Sequence, residues 1–138
     1  MQAAAQVKPV IAQVDSLAAS AAYWLTSQAE TITAADVNTT AGSIGVYTVY
    51  YDWSGYDEKV GIKAVVIRSG EHKGISEDKI TEAQIAAVQE MIDATADNFI
   101  DAVAAGRRLD REKIEALADG KLFIARTAQV NGLIDGLA

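Results

Sequence analysis

Short β-patterned runs alternate with helix-patterned runs along this chain, and that alternation restricts its fold more than any other feature. Val10-Ile11-Ala12-Gln13-Val14 is β-rich, the alanine-rich stretch from Leu17 to Ser27 reads as a helix, and Thr31-Ile32-Thr33 reads as a short strand. Val46 to Tyr51, dense in β-branched and aromatic residues, predicts a stronger strand. Ser54 to Val60 predicts a short helix that Gly61 closes in a left-handed conformation. Lys63-Ala64-Val65-Val66-Ile67-Arg68 is a nearly continuous apolar run, the pattern of a strand buried on both faces.

The clearest single element is a long helix from about Glu82 to Ala105. Thr81 and Gln84 have the spacing of a capping box at its start, and Gly106 has the character of a C-terminal stop. Ile85, Val88, Ile92, Phe99 and Val103 recur at three- and four-residue steps and give it one apolar face. A second helix follows Asp110, turns Ile114 and Leu117 inward and ends at Gly120. The tail carries a short strand at Leu122-Phe123-Ile124, a helical turn, and Leu133-Ile134 after Gly132. Strands separated by helices pair in parallel through right-handed crossovers, so the pattern predicts an α/β layered fold.

At 138 residues the chain is one domain at most, and with a single proline and no Ser/Gly linker it shows no internal boundary. Half of its residues are apolar, enough for a core. A net charge of −7 argues against a nucleic-acid partner, which needs a concentrated basic face. The one tight basic cluster, Arg107, Arg108 and Arg111, reads as a solvated helix junction. With no cysteine and only His72, neither disulfides nor thiolate- or histidine-based metal sites are available, and no metal or other cofactor is expected. No apolar run approaches the roughly 20 residues of a membrane span, so a soluble acidic domain without a membrane span is expected.

No phosphate-cradling glycine loop, zinc-protease helix or α/β-hydrolase nucleophile motif is present. By residue type alone Ser20 is a small residue among alanines, Lys73 a loop lysine at the end of an apolar run, and Gly42-Ser43-Ile44-Gly45 a turn. Strand ends are nevertheless where α/β folds place their sites.

The segments, taken in order, resemble the signal-peptide-peptidase-A family and its phage capsid-protease relatives. The resemblance runs from about Lys8 to the C-terminus. It is carried by Lys8-Pro9-Val10, Ala18-Ala19-Ser20-Ala21-Ala22-Tyr23-Trp24, Gly42-Ser43-Ile44-Gly45-Val46, Gly61-Ile62-Lys63 and Arg68-Ser69-Gly70-Glu71-His72-Lys73. Downstream it continues through Phe99-Ile100-Asp101-Ala102-Val103 with Gly106-Arg107, Ala118-Asp119-Gly120 and Asn131-Gly132-Leu133-Ile134-Asp135.

This resemblance implies a Clp-protease/crotonase-type fold and peptide-bond hydrolysis by a Ser-Lys dyad. By motif, Ser20 is the nucleophile, Lys73 the general base, Ser43 the hydroxyl that orients the lysine amine, and the Ala21 backbone N–H an oxyanion donor. A lysine acts as a base only when neutral, which for an ammonium requires burial away from water. His72, beside Lys73, is the rival base. Ala21-Ala22 replaces the usual two glycines and looks more like the phage branch, favouring a capsid-maturation substrate over leftover signal peptides, and Phe123-Ile124-Ala125 departs from the more usual Phe-Thr-Gly. Family members carry further strands and a Ser-Pro-Gly-Gly oxyanion loop ahead of the Lys-Pro-Val strand. The chain begins at Met1 without them, so an incomplete fold, the C-terminal portion of the family domain, is expected.

The partners implied are a peptide or protein substrate and further copies in a ring-like homo-oligomer. A cytoplasmic or virion-associated location, or a membrane-anchored parent protein, goes with them. The alternative is a catalytically inactive module for self-assembly or scaffold binding; an acyl-CoA enzyme on the same fold is the more distant one.

Overall fold

The computed structural model describes residues 2–138. They form two compact units: the first comprises residues 2–46 and 95–138, the second residues 47–94. The elements in chain order are α1 (Gln2–Ala5), β1 (Ile11–Val14), β2 (Leu17–Ala19), α2 (Ala21–Thr26), β3 (Thr31–Ala34), β4 (Thr40–Gly42), α3 (Ser54–Val60), α4 (Glu82–Arg107), α5 (Arg111–Leu117), β5 (Leu122–Ile124), α6 (Ala125–Val130) and β6 (Gly136–Leu137). The fold is therefore mixed α/β, with two small sheets.

In the first unit, β1, β3 and β6 make one sheet, parallel throughout, in that order. β2, β4 and β5 make the other, with β2 parallel to β4 and β5 antiparallel to it. The antiparallel β5 departs from the all-parallel pairing predicted from the pattern. The chain steps from the first sheet to the second twice, at Asp15-Ser16 and at 35–39. Both steps are stitched together, since the Thr40 N–H donates to the Ser16 carbonyl and the Thr39 hydroxyl to the Asp15 carbonyl.

The buried apolar residues all belong to this unit: Val14, Ala18, Ile32, Ala34 and Ala41 from the strands, Tyr23 from α2, Phe99 and Val103 from α4, Ile114 from α5, and Leu133 and Ile134 from the tail, among others. Trp24 stacks on Phe99 with ring centroids 4.6 Å apart and joins α2 to α4.

Several sequence readings hold. The reciprocal capping box exists, with the Thr81 N–H donating to Gln84 Oε1 at 3.0 Å and the Gln84 N–H to Thr81 Oγ1 at 3.3 Å. Gly61 closes α3 at φ 77°. Others need correction. Leu17 to Ser27 is not one helix: Ser20, at φ 52°, breaks it into β2 and α2. Gly106 does not stop α4, which continues to Arg107, and Arg108 takes the left-handed conformation at φ 54°.

Arg107 is also not part of a solvated junction, because its side chain is 6% exposed and paired to Asp135. Arg111, more open, binds Asp97 and Asp101 on α4 and Glu115 on its own helix.

The second unit holds the largest departures. Neither Val46 to Tyr51 nor Lys63 to Arg68 forms a strand. Both runs lie largely exposed, with Val65 at 76% and Ile67 at 94%. The physical reason is that β propensity expresses packing on a pleated, half-buried surface, and among the described residues no strand lies beside either run. Polar contacts organise the unit instead: Arg68 pairs with Asp78 at 2.8 Å, and Asp52 accepts from the Ser54 and Ile80 N–H groups. No helix of the described residues is long and apolar enough to cross a membrane.

Candidate active site

Ser20 stands at the turn between β2 and α2, with φ 52° and ψ −125°. A serine carries a Cβ, so a positive φ there is strained, at a cost of about 1–3 kcal/mol, and such strain persists only where surrounding contacts hold it. Two backbone bonds do so: the Ser20 N–H donates to the Gly42 carbonyl at 2.9 Å, and the Trp24 N–H to the Ser20 carbonyl at 2.9 Å. The Ser20 side chain makes no capping bond to the helix it precedes, and the residue is exposed. A serine hydroxyl displayed on a strained strand-to-helix turn is the arrangement that hydrolase nucleophiles use.

Ser43 sits in the same place one strand over. Ala19 and Gly42 are register partners on the parallel strands β2 and β4, so Ser20 and Ser43 are the next residue on each, at strand ends about 4.8 Å apart. Ser43 shares the positive φ of 52° and is half-buried. Its N–H donates to the Lys121 carbonyl at 2.7 Å. Gly42 has to be glycine there: its φ is 120°, and a Cβ would meet the Lys121 carbonyl oxygen at 2.9 Å and the Phe123 ring at 3.0 Å. Ala21 is the first residue of α2, where N–H groups have no carbonyl partner within the helix and the positive end of the dipole lies. The fold thus brings the nucleophile candidate, the oxyanion donor candidate and the orienting hydroxyl candidate to the C-terminal ends of two adjacent parallel strands.

Lys73 belongs to the second unit, exposed in a turn where its N–H donates to the Gly70 carbonyl at 3.0 Å. His72 lies in the same turn. Among the described residues no group of three or more His, Cys, Asp or Glu side chains could hold a metal ion.

Residue patterns gave no hint of the polar network behind the serine. Tyr23, one turn along α2, is fully buried and donates its phenol to the Leu133 carbonyl at 2.7 Å. Arg107 donates Nε to the Gly132 carbonyl and its fork to both Asp135 oxygens, and Asp135 Oδ2 also accepts from the Ile32 N–H. Burial pushes the Tyr23 phenol well above its ordinary range; the Arg107 charge opposes this and Asp135 reinforces it, so the group stays a neutral donor.

Partial burial works to raise the Asp135 carboxyl, but hydrogen bonds from Arg107 and Ile32, with the Arg107 charge, outweigh it and hold the group below the usual aspartate range. A carboxyl lowered on folding stabilises the protein above its unfolded value, near 3.9, and that contribution is lost as pH falls through the folded value. Asp135→Asn is therefore expected to lower Tm at pH 7 and to flatten the fall in Tm below pH about 4, read by circular dichroism melts across pH.

A family model described as "Peptidase family S49" matches residues 2–138. The chain is 33% identical over 129 residues to a putative signal peptide peptidase SppA of Enterococcus faecium, covering 92% of this chain and 37% of that protein. It is 33% identical over 129 residues to Protease 4 of Haemophilus influenzae, covering 93% and 21% respectively. It is 29% identical over 136 residues to the chloroplastic serine protease SPPA of Arabidopsis thaliana, covering 96% and 20%. The chain thus spans between about a fifth and two fifths of the length of these relatives.

Proposed function

The chain belongs to peptidase family S49, and from that premise we propose that it is the segment of a serine endopeptidase that carries a Ser-Lys dyad. Ser20 Oγ attacks the scissile carbonyl while the neutral Lys73 amine takes its proton, and Ser43 orients that amine. The Ala21 N–H donates to the oxyanion of the tetrahedral intermediate, and the protonated lysine then delivers its proton to the leaving amine. The observation that carries this reading is the strained backbone of Ser20 at the end of β2, beside Ser43 at the end of β4. A fold of the Clp-protease/crotonase type accords with the repeated step from one sheet to the other.

A fluorophosphonate serine probe followed by intact mass and peptide mapping tests the reading. One adduct, on Ser20, is expected; an adduct elsewhere, or none at any protein concentration, would overturn it.

Lys73 is exposed in its own unit, while a basic lysine needs burial, and none of the buried apolar residues falls within 47–94. A homo-oligomer in which a second copy covers the second unit supplies both needs. Tyr47, Val49, Val65 and Ile67 are apolar side chains left exposed there. Light scattering is expected to give a mass several times the 14.6 kDa of one chain, and a monomer across the working concentration range would count against assembly. The Ala21-Ala22 pair favours a capsid-maturation substrate, with a cytoplasmic or virion location, over the signal peptides named in one relative. The exposed second unit also supports a second reading, a non-catalytic assembly module, which a multimer that takes up no probe would favour.

A further inference from the structure

We propose that Tyr23 is a positioning residue for the nucleophile, holding the Ser20 turn through its phenol; the inference rests on the peptidase reading above. α2 is only six residues long, too short to keep its own geometry, and Ser20 offers it no side-chain cap. Something outside the helix must fix the direction of its first turn, because that turn carries both Ser20 and the Ala21 N–H. Tyr23 is the one residue of α2 that is fully buried, and its phenol is bonded at 2.7 Å to the Leu133 carbonyl.

That acceptor is itself immobilised from four sides. The Leu133 N–H donates to the Ala128 carbonyl, Arg107 holds the Gly132 carbonyl, and the Asp135 N–H donates to the Ile32 carbonyl. The Asp135 carboxylate takes the Arg107 fork and the Ile32 N–H. The phenol therefore ties the turn that aims the serine to a fixed point made by α4, β3 and the tail. A tyrosine that only filled the core would satisfy its hydroxyl anywhere; this one spends its bond on the segment that the Arg107–Asp135 pair locks.

Tyr23→Phe keeps the ring and deletes the bond. Labelling with the fluorophosphonate probe, resolved into kinact and KI, is expected to show kinact down about tenfold with KI within twofold, because orientation at the reacting atom is lost while probe binding is not. Backbone amide exchange is expected to quicken at Trp24, whose N–H closes the turn on the Ser20 carbonyl, and to stay unchanged at Phe99. 4-Aminophenylalanine at position 23 restores a donor and is expected to recover both readouts, and it also serves if the phenylalanine variant folds poorly.

Unchanged kinact together with unchanged exchange at Trp24 would overturn the proposal, as would a loss of Tm alone. If the wild-type protein takes up no probe, the peptidase reading fails separately. The positioning role falls with it, and the exchange arm then decides only whether the phenol holds the Ser20 turn: faster exchange at Trp24 sustains that tie, and unchanged exchange ends it.

Discussion

Ser20→Ala and Lys73→Ala are each expected to lower kcat/KM for a peptide substrate by about 10⁴-fold or more, the scale seen when a nucleophile or its base is removed from a coupled pair. The double variant is expected to lose little beyond either single one, because in the proposed mechanism the two groups act on one proton transfer. Lys73→Arg is expected to be as inactive as the alanine variant: a guanidinium keeps the charge but does not give up its proton in a protein. This comparison separates a base from a mere electrostatic contact. Ser43→Ala should cost less, about 10- to 100-fold, since its proposed role is to orient the amine without exchanging bonds.

His72 precedes Lys73 in the same turn, so retention of activity in Lys73→Ala with loss in His72→Ala would transfer the role of base to the histidine. Activity per chain is also expected to rise with protein concentration, because Lys73 is exposed in its own unit and burial is what neutralises a lysine.

Local chemistry made some elements readable and left others hidden. The Thr81–Gln84 box and the Gly61 stop are written in adjacent residues, and both appear with the expected bonds and backbone. The turn at Ser20 is different. Nothing in Ala18-Ala19-Ser20-Ala21-Ala22 forbids a continuous helix, and the break comes from the pairing of β2 with β4, a contact between residues more than twenty positions apart. Family resemblance singled out Ser20 and Ser43; only the register showed that they end neighbouring strands.

The runs Val46 to Tyr51 and Lys63 to Arg68 fail in the opposite direction. Their composition calls for a sheet, and among the described residues no strand lies beside them. A pattern of this kind reports the need for a partner and says nothing of which chain provides it. The Arg107–Asp135 and Tyr23–Leu133 contacts had no local signal at all, since they join residues 28 and 110 positions apart.

Gly106→Ala is expected to destabilise the first unit by about 3 kcal/mol, against the sign that helix propensity alone would give. In an exposed helix interior the same change stabilises by roughly 1 kcal/mol, because alanine loses less backbone freedom on folding. Gly106 lies within α4, one residue from its end, so the propensity gain applies in principle. A Cβ there, however, would fall inside the van der Waals contact of the Ser27 carbonyl oxygen and 2.8 Å from the Gln28 amide nitrogen.

The backbone oxygen cannot swing aside as a side-chain tip could. Ser27 is fully buried, its N–H is bonded to the Tyr23 carbonyl at 2.7 Å, and its hydroxyl donates to the Trp24 carbonyl. Gln28 is engaged as well, donating to the Ala102 carbonyl of α4. Overpacking at such a site typically costs 1–3 kcal/mol and sometimes more, enough to reverse the propensity term. α4 would have to retreat from α2, loosening the Trp24–Phe99 stack and the Arg107–Asp135 pair together. For a chain of this size that is a fall in Tm of about 6–20 °C, read by thermal or urea unfolding. A Tm at or above that of the wild type would show that glycine at 106 serves no close approach between the helices.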